Sequence, residues 1–195
     1  MKLLCIISTP KPYEESYGKQ LAKAFLDEYR KKNPRDTVET IDLYDENYSS
    51  LEYSEIEAAR ATGEGKMVVE AQKFKSYDKY VIVAPMWNLS IPSILKSYID
   101  HIIVSGITFK YTKLGIPKGL LKNKKALYIG TRGGGYPFPV SLIAFDLKYI
   151  KFVLKFIGIK KFESFLLENV DKSPEKIKKI FPAKLKKLRT IANKF

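Results

Sequence analysis

Hydrophobic and polar positions along the chain follow two patterns that alternate from one end to the other. Continuous apolar runs are typical of strands buried on both faces of a sheet, whereas apolar residues three and four apart mark one face of a helix. Such runs, with one alternating segment, predict strands at Leu3–Ile7, Thr37–Leu43, Tyr80–Ala84, Lys125–Gly130 and Phe162–Leu167. Helical spacing predicts helices over residues 16–33, 66–77, 92–103, 141–156 and 177–191.

This alternation of strands and helices requires a parallel sheet with helices on both faces. With right-handed crossovers in 195 residues, it predicts a single domain, residues 1–195, with an α/β doubly wound, flavodoxin-like fold. The expected order of the five-stranded parallel sheet is 2-1-3-4-5. Residues 44–65 are expected to be irregular, and residues 106–119 to form a loop with a β-type excursion at Thr108–Tyr111. Pro182 is expected to bend or divide the last helix.

Ligands of open parallel sheets bind beyond the carboxyl ends of the strands, where the winding reverses. The first loop at that edge carries the hydroxyl groups of Ser8, Thr9 and Ser16 just before a helix. Free N–H groups at a helix start favour a phosphate, although Ser16 could instead only cap the helix. The loops expected to meet there are Ser8–Gly18, Pro85–Pro92 and Thr131–Tyr136.

The other two loops contain residue types suited to a flat ring. The single tryptophan, Trp87, could form a wall for such a ring while the Asn88 amide bonds its edge, although simple packing is the commoner role of a tryptophan. Three glycines after Arg132 allow backbone N–H groups to approach a planar ligand, although many tight turns contain similar glycines. Neither Gly-x-Gly-x-x-Gly nor Gly-x-x-x-x-Gly-Lys-Ser/Thr is present, which argues against a Rossmann dinucleotide site and a P-loop.

Few residues are suited to acid–base or metal chemistry. One histidine, His101, and one cysteine, Cys5, cannot make a zinc site of the usual ligand count, so no metal is expected. The hydroxyl-rich loops have no histidine partner for a Ser-His-Asp triad, and His101 is expected to be packed or on a helix surface. A ring-and-phosphate pocket without such groups indicates that a cofactor supplies the chemistry.

Composition and charge narrow the setting. The apolar stretches are far shorter than the roughly 20 residues of a membrane span, and no leader segment is recognisable. With a single cysteine, we expect a reducing, cytoplasmic setting. The net charge is +14, and residues 148–195 hold 14 basic and 4 acidic residues. Such an excess could attract nucleic acid, an anionic membrane or an anionic small molecule, or could be a lysine-rich solvated surface.

The motifs around the second loop resemble those of a known family. The segment from Ala84 to Asp100 (APMWNLSIPSILKSYID), then SGITFKYT from Ser105 and TRGG from Thr131, resemble the FMN-dependent NADH:quinone oxidoreductases known as azoreductases. The strong part spans about residues 80–136. The resemblance implies a flavodoxin-like fold, a homodimer, and one FMN per subunit near the dimer interface.

The resemblance also implies which residues form the site, with the flavin rather than any protein side chain carrying the chemistry. Tyr111 and Phe156 would reach the flavin or substrate across the dimer, and Tyr136 would border the substrate pocket. Contacts to FMN would come from Ser8 or Thr9, Ser16, Tyr17 and Gly18 at the phosphate, from Pro85, Met86, Trp87, Asn88 and Leu89 at the ring, and from Thr131, Arg132, Gly133 and Gly134 at its other edge.

Two positions depart from the family pattern. The phosphate loop of the family usually reads Ser-x-Ser, and Gly18 stands where the second serine would be. A hydrogen bond from a serine hydroxyl to a phosphate is worth about 1.5–3 kcal/mol, and Lys11 or Lys19 could replace it. Trp87 stands where the family commonly has tyrosine, which enlarges the wall and removes a phenol.

The reaction implied by the resemblance is a two-step, ping-pong cycle. NADH or NADPH would pass a hydride to the flavin and leave, and a flat quinone or azo acceptor would then take its place. A flavin-binding electron carrier without NAD(P)H oxidation is an alternative, although such carriers are typically acidic. A nucleic-acid-binding role lacks a recognisable motif, so no nucleic acid is expected as a partner. The basic last helix could instead lie on a membrane surface.

Overall fold

The computed structural model describes residues 1–46 and 48–195. Its strands are β1 (Lys2–Ile7), β2 (Thr37–Asp42), β3 (Lys79–Pro85), β4 (Phe109–Tyr111), β5 (Pro117–Gly119), β6 (Lys125–Thr131) and β7 (Lys161–Leu167). Its helices are α1 (Tyr17–Lys32), α2 (Tyr53–Ala61), α3 (Lys66–Lys75), α4 (Ser93–Ile102), α5 (Phe145–Phe156) and α6 (Pro174–Ala192).

The central sheet has five parallel strands in the order β2-β1-β3-β6-β7. Counted over the five long strands this is 2-1-3-4-5, so the predicted doubly wound, flavodoxin-like topology is confirmed. Ile7 is paired with Val83, and Pro85 with Thr131. The loops after β1, β3 and β6 therefore leave the sheet at the same edge.

The sheet separates two hydrophobic cores because successive side chains of a buried strand point to opposite faces. Tyr80 and Ile82 of β3 pack towards α3, α4 and α5, whereas Val81 and Val83 pack towards α1 and α6. The fully buried Cys5 lies on the second face, where burial raises the pKa of its thiol to about 12. The thiol is therefore protonated and unreactive at neutral pH.

The apolar stripe of α6 is buried within the protein. Ile177 and Leu188 pack in the same cluster as Phe25 of α1. The stripe is thus covered by α1 and the sheet, which removes the observation that favoured a membrane-surface role. No helix in residues 1–46 and 48–195 is both long and apolar enough to span a membrane.

The structure departs from the expected local structure in four places. Residues 44–65 contain α2, which a capping box of Glu52 and Glu55 begins. The β-type excursion at Thr108–Tyr111 is confirmed as β4, but it pairs with a second strand, β5, in an antiparallel hairpin that was not expected. The helix expected over 141–156 begins only at Phe145, after a 3-10 helix at Val140–Ile143. Pro182 does not divide the last helix, since α6 continues from Pro174 to Ala192.

Candidate functional site

A cleft opens at the sheet edge where the loops after β1, β3 and β6 meet. It joins a helix start at one end to an exposed tryptophan at the other. Most of the predicted site residues are brought together here. The lining residues are Thr9, Lys11, Glu15, Ser16, Tyr17, Gly18, Pro85, Met86, Trp87, Thr131, Gly133, Val170 and Asp171.

The start of α1 forms the polar end of the cleft. The Ser16 hydroxyl accepts a hydrogen bond from the Lys19 N–H at 3.2 Å, so Ser16 does cap the helix. The N–H groups of Tyr17 and Gly18 come first in the helix and have no acceptor in the part of the chain that the structure describes. Two oriented donors and a partial positive charge therefore face the cleft, which is the arrangement that binds a phosphate.

Two hydroxyl groups of the first loop have different surroundings. The Ser8 hydroxyl is buried and donates to the Val83 carbonyl oxygen at 2.9 Å, and Ser8 is not part of the lining. Thr9 lines the cleft and is 4% exposed. Of the two candidates, Thr9 is thus the one placed to contact a ligand, while Ser8 ties the loop to β3.

Gly18 allows α1 to begin against the sheet. A Cβ at this position would lie 3.3 Å from Val83 Cγ1 and 3.9 Å from Thr131 Cγ2. The helix start therefore touches the carboxyl ends of both β3 and β6, and a larger side chain would push it away from them.

A left-handed turn presents Trp87 at the other end of the cleft. The backbones of Trp87 and Ser90 exchange two hydrogen bonds of 2.9 Å, and the residues between them, Asn88 and Leu89, have φ of 47° and 69°. Two positive φ values define a type I′ turn, which is unusual for a leucine. The Leu89 carbonyl accepts from the Phe145 N–H at 2.7 Å, so the start of α5 holds the turn. Trp87 is 40% exposed, which excludes simple core packing.

Arg132 is not placed as expected. Its guanidinium donates to both carboxylate oxygens of Asp146, at 2.7 and 3.1 Å, and to Glu168 at 2.8 Å. Burial opposes the charge, but these carboxylates outweigh it and raise the pKa of Arg132 above its ordinary value. The Arg132 side chain therefore points into the protein and anchors the third loop. The neighbouring residues Thr131 and Gly133 line the cleft.

The donor set suits FMN. Free N–H groups and the Thr9 and Ser16 hydroxyls match a phosphate, while the exposed indole and a loop of glycines match a flat, hydrogen-bonding ring. A family model described as a flavodoxin-like fold matches residues 1–192. An FMN-dependent NADH:quinone oxidoreductase of Clostridium perfringens (strain 13) is 39% identical over 100% of this chain and 99% of its own length. The chain belongs to the FMN-dependent NADH:quinone oxidoreductase family.

Solved structures of azoreductases share this fold. An azoreductase from Bacillus anthracis (strain Sterne) is 31% identical, with a TM-score of 0.90 over 100% of this chain and 99% of that one. An FMN-dependent NADH-azoreductase from Bacillus anthracis (strain Ames Ancestor), solved in complex with FMN, is 27% identical. Its TM-score is 0.87 over 99% of this chain and 97% of that one.

The loop after β7 also lines this oxidoreductase cleft, through Val170 and Asp171, and it was not predicted from the sequence. The Asp171 N–H donates to the Gly133 carbonyl and the Val170 N–H to that of Arg132, both at 3.1 Å. The Asp171 carboxylate lies beside Gly133, where a Cβ would be 2.4 Å from Oδ2. The topology contained the signal, because β7 also ends at this edge and the loop after it must join the other three.

The residues expected at the substrate pocket of the oxidoreductase lie outside the lining of this cleft. Tyr111 and Phe156 both pack on Phe109, with ring centroids 5.4 and 4.9 Å away. The Tyr136 ring lies 5.5 Å from the Arg132 guanidinium carbon, beside the third loop. Asn88, Leu89 and Gly134 adjoin the cleft through their loops without lining it.

His101 is packed, which is one of the two expected placements. It is fully buried, and its Nδ1 lies 2.8 Å from the Ser97 carbonyl oxygen. Over residues 1–46 and 48–195, the structure contains no cluster of three or more His, Cys, Asp or Glu side chains able to hold a metal ion.

The contact between Gly133 and Asp171 can be tested by a double-mutant cycle. We expect G133A to lower the free energy of unfolding by about 1 kcal/mol, because the new methyl group must displace the Asp171 carboxylate from beside the loop. In a D171A background the carboxylate is absent and the Cβ of residue 171 lies 3.6 Å away, which is an ordinary contact, so the same substitution should cost less than half as much. Urea denaturation followed by circular dichroism measures all four proteins, and equal costs in both backgrounds would contradict the contact.

Proposed function

We propose that this chain binds FMN in the cleft and uses it to oxidise NADH or NADPH and reduce quinones and azo compounds. Bound FMN supplies the redox chemistry, accepting a hydride from the donor and giving two electrons to a flat acceptor. The observation that carries the proposal is the cleft itself, in which two free N–H groups of α1 face the same space as an exposed indole.

The phosphate would be held by the start of α1. The N–H groups of Tyr17 and Gly18 would donate to its oxygens, and the Thr9 and Ser16 hydroxyls would add uncharged contacts. The Lys19 ammonium is paired with Asp42 at 2.8 Å, whereas Lys11 lines the cleft. Lys11 is therefore the better candidate to replace the hydroxyl contact that Gly18 lacks.

The ring would lie between Trp87 and the third loop. The N–H groups of Gly133 and Gly134 have no acceptor among the described residues and would donate to the ring edge. Fixed donors of this kind stabilise negative charge without reorganisation, so the site needs no acid or base of its own. The Arg132–Asp146 pair keeps these donors in place.

We also propose a homodimer, with Tyr111 and Phe156 reaching the partner's cleft. The chain exposes many large apolar side chains on two segments, the β4–β5 hairpin and residues 138–152. The two segments adjoin because Phe109 of β4 packs against Phe156 at the end of α5. Exposed apolar patches of this extent mark interaction sites. The exposed residues are Tyr111, Leu114, Ile116, Phe138, Val140, Leu142, Ile143, Phe145 and Phe152.

If this surface forms the dimer interface, one added charge on it should prevent dimerisation. Phe152 is 70% exposed, and we expect F152E to convert a dimer of twice 22.4 kDa into monomers, because an interface would bury the new carboxylate. Tyr53 of α2 is 73% exposed on a different surface, so Y53E serves as the matched control and should remain dimeric. Sedimentation equilibrium measures both, and a monomeric wild type would contradict the proposal.

We place the reaction in a reducing, cytoplasmic setting. The single cysteine is buried in the core with a raised thiol pKa and has no partner for a disulfide within the chain. The stability of the chain thus does not depend on oxidation.

The absorbance spectrum of the purified protein, before and after anaerobic NADH, tests the proposed function. Absorbance bands at about 370 and 450 nm are those of bound FMN. They should bleach with NADH or, if NADH has no effect, with NADPH. Bands that persist with both nucleotides would instead indicate an electron carrier. A colourless protein that takes up no added FMN would contradict the cleft assignment.

A further inference from the structure

A second cavity, of about 530 Å³, lies at the opposite edge of the sheet from the flavin cleft. It is formed where β5, the turn before β6, the end of α5 and the start of β7 meet. Lys125 and Thr131 are six residues apart on β6, so the two edges are about 20 Å from each other. The lining residues are Lys118, Gly119, Lys122, Asn123, Lys124, Lys155, Gly158, Lys160 and Lys161.

The backbone of this cavity is closely packed. A Cβ on Gly119 would lie 2.2 Å from the Gly158 nitrogen, so the hairpin and the end of α5 touch directly. The Leu121 N–H donates to the Ile157 carbonyl at 2.9 Å, and Gly158 has φ of +106°. The floor is thus held by backbone contacts that only glycine permits, and the lysine side chains rise from a fixed base.

The charge of the cavity is not neutralised within the protein. Its lining includes six lysines and no acidic residue. The Lys124 ammonium donates to the carbonyl oxygens of Lys75 and Tyr77, and burial lowers its pKa. The nearby Glu163 is paired with Lys125 at 3.0 Å. The remaining lysines have no carboxylate within 4.0 Å in the part of the chain that the structure describes; they are Lys118, Lys122, Lys155, Lys160 and Lys161.

We infer that this cavity binds an oligophosphate, either an inorganic chain or the phosphate chain of a nucleotide. Several like charges around one concavity repel each other until an anion of matching charge enters, and lysine binds phosphate as a compact point charge. The volume is within the range of small-ligand sites, whereas a nucleic acid would need an extended basic surface. The ligand would occupy a different edge of the sheet from FMN.

Calorimetric titration of the FMN-saturated, full-length protein tests the inference at about 150 mM salt. Tripolyphosphate and ATP are the probes, and we expect one binding site per chain outside the flavin cleft. K118Q/K160Q should weaken both probes about tenfold or more, because it removes two charge-assisted hydrogen bonds. The matched control K186Q/K187Q removes the same charge from exposed positions of α6 and should change the affinity less than about twofold.

The two probes distinguish the sources of the phosphate chain. Equal affinities for tripolyphosphate and ATP would show that the protein recognises only the phosphates. Tighter binding of ATP would show that the site also recognises the nucleoside. The inference is overturned if the wild type binds neither probe, or if both double variants weaken binding equally. It is also overturned if a single-stranded DNA oligonucleotide binds more tightly than either probe and loses affinity in both variants, since that indicates a general basic surface. Unchanged circular dichroism and flavin absorbance establish that each variant is folded.

Discussion

R132M is expected to lower the free energy of unfolding by about 3–5 kcal/mol, because it leaves a carboxylate buried without its partner. Asp146 is fully buried, and Arg132 supplies two of its hydrogen bonds. Tyr128 still donates to Asp146 at 3.2 Å, but a neutral hydroxyl does not balance the charge. In a domain of about this size the destabilisation corresponds to a fall in Tm of about 10 °C.

Two further variants make this prediction specific to the buried pair. R60M removes an arginine that is 76% exposed and 4.0 Å from Glu57, and it should cost less than about 1 kcal/mol. R132M/D146L removes both buried charges and should be markedly more stable than R132M. Urea denaturation followed by circular dichroism measures all three variants. A cost below about 1 kcal/mol for R132M would mean that water reaches Asp146 and that the pair does not anchor the third loop.

G18V is expected to weaken FMN binding about 100-fold or more. The valine would collide with Val83 and Thr131, displacing the start of α1 and its two free N–H donors. Hydrogen bonds of this kind to a charged group are worth about 1.5–3 kcal/mol each, and about 1.4 kcal/mol is tenfold in affinity. Titration of the apoprotein with FMN, followed by quenching of flavin fluorescence, measures the change.

A graded control separates collision from any change at this position. The Cβ of G18S would be 3.3 Å from Val83, which a small shift can relieve, and its hydroxyl can donate to a phosphate. G18S should therefore bind FMN within about tenfold of the wild type. If G18V binds as tightly as the wild type while its thermal unfolding is unchanged, the helix start is not the phosphate site.

The sheet could be predicted from the sequence because parallel strands are buried on both faces and appear as uninterrupted apolar runs. Tyr80–Ala84 is an example, since all five residues are buried in the structure. The helix α2 could not, because it has no buried residue and therefore no apolar stripe. Only the first strand of the hairpin, β4, was predicted, because β5 is Pro-Lys-Gly and has no residue pattern typical of a strand.

The loops of the site could also be predicted, but not the orientation of every side chain within them. Arg132 was expected to contact the ring because its loop lies at that edge of the sheet. Its guanidinium instead pairs inside the protein with Asp146 and Glu168, which are distant in the sequence. The turn at Asn88–Leu89 lacks the usual Asn-Gly signal, and the contact with Phe145 that holds it is tertiary. Position relative to the strand ends was therefore predictable, and contacts between remote residues were not.

The burial of Cys5 has a practical consequence for labelling. A protonated thiol beneath α1 does not react with maleimides under native conditions, so the wild-type chain behaves as a background without reactive cysteine. A cysteine introduced at Tyr53, which is 73% exposed and lies outside the proposed dimer surface, would be the one position to carry a dye. Mixing donor-labelled and acceptor-labelled batches would then report subunit exchange by energy transfer, with Cys5 left in place.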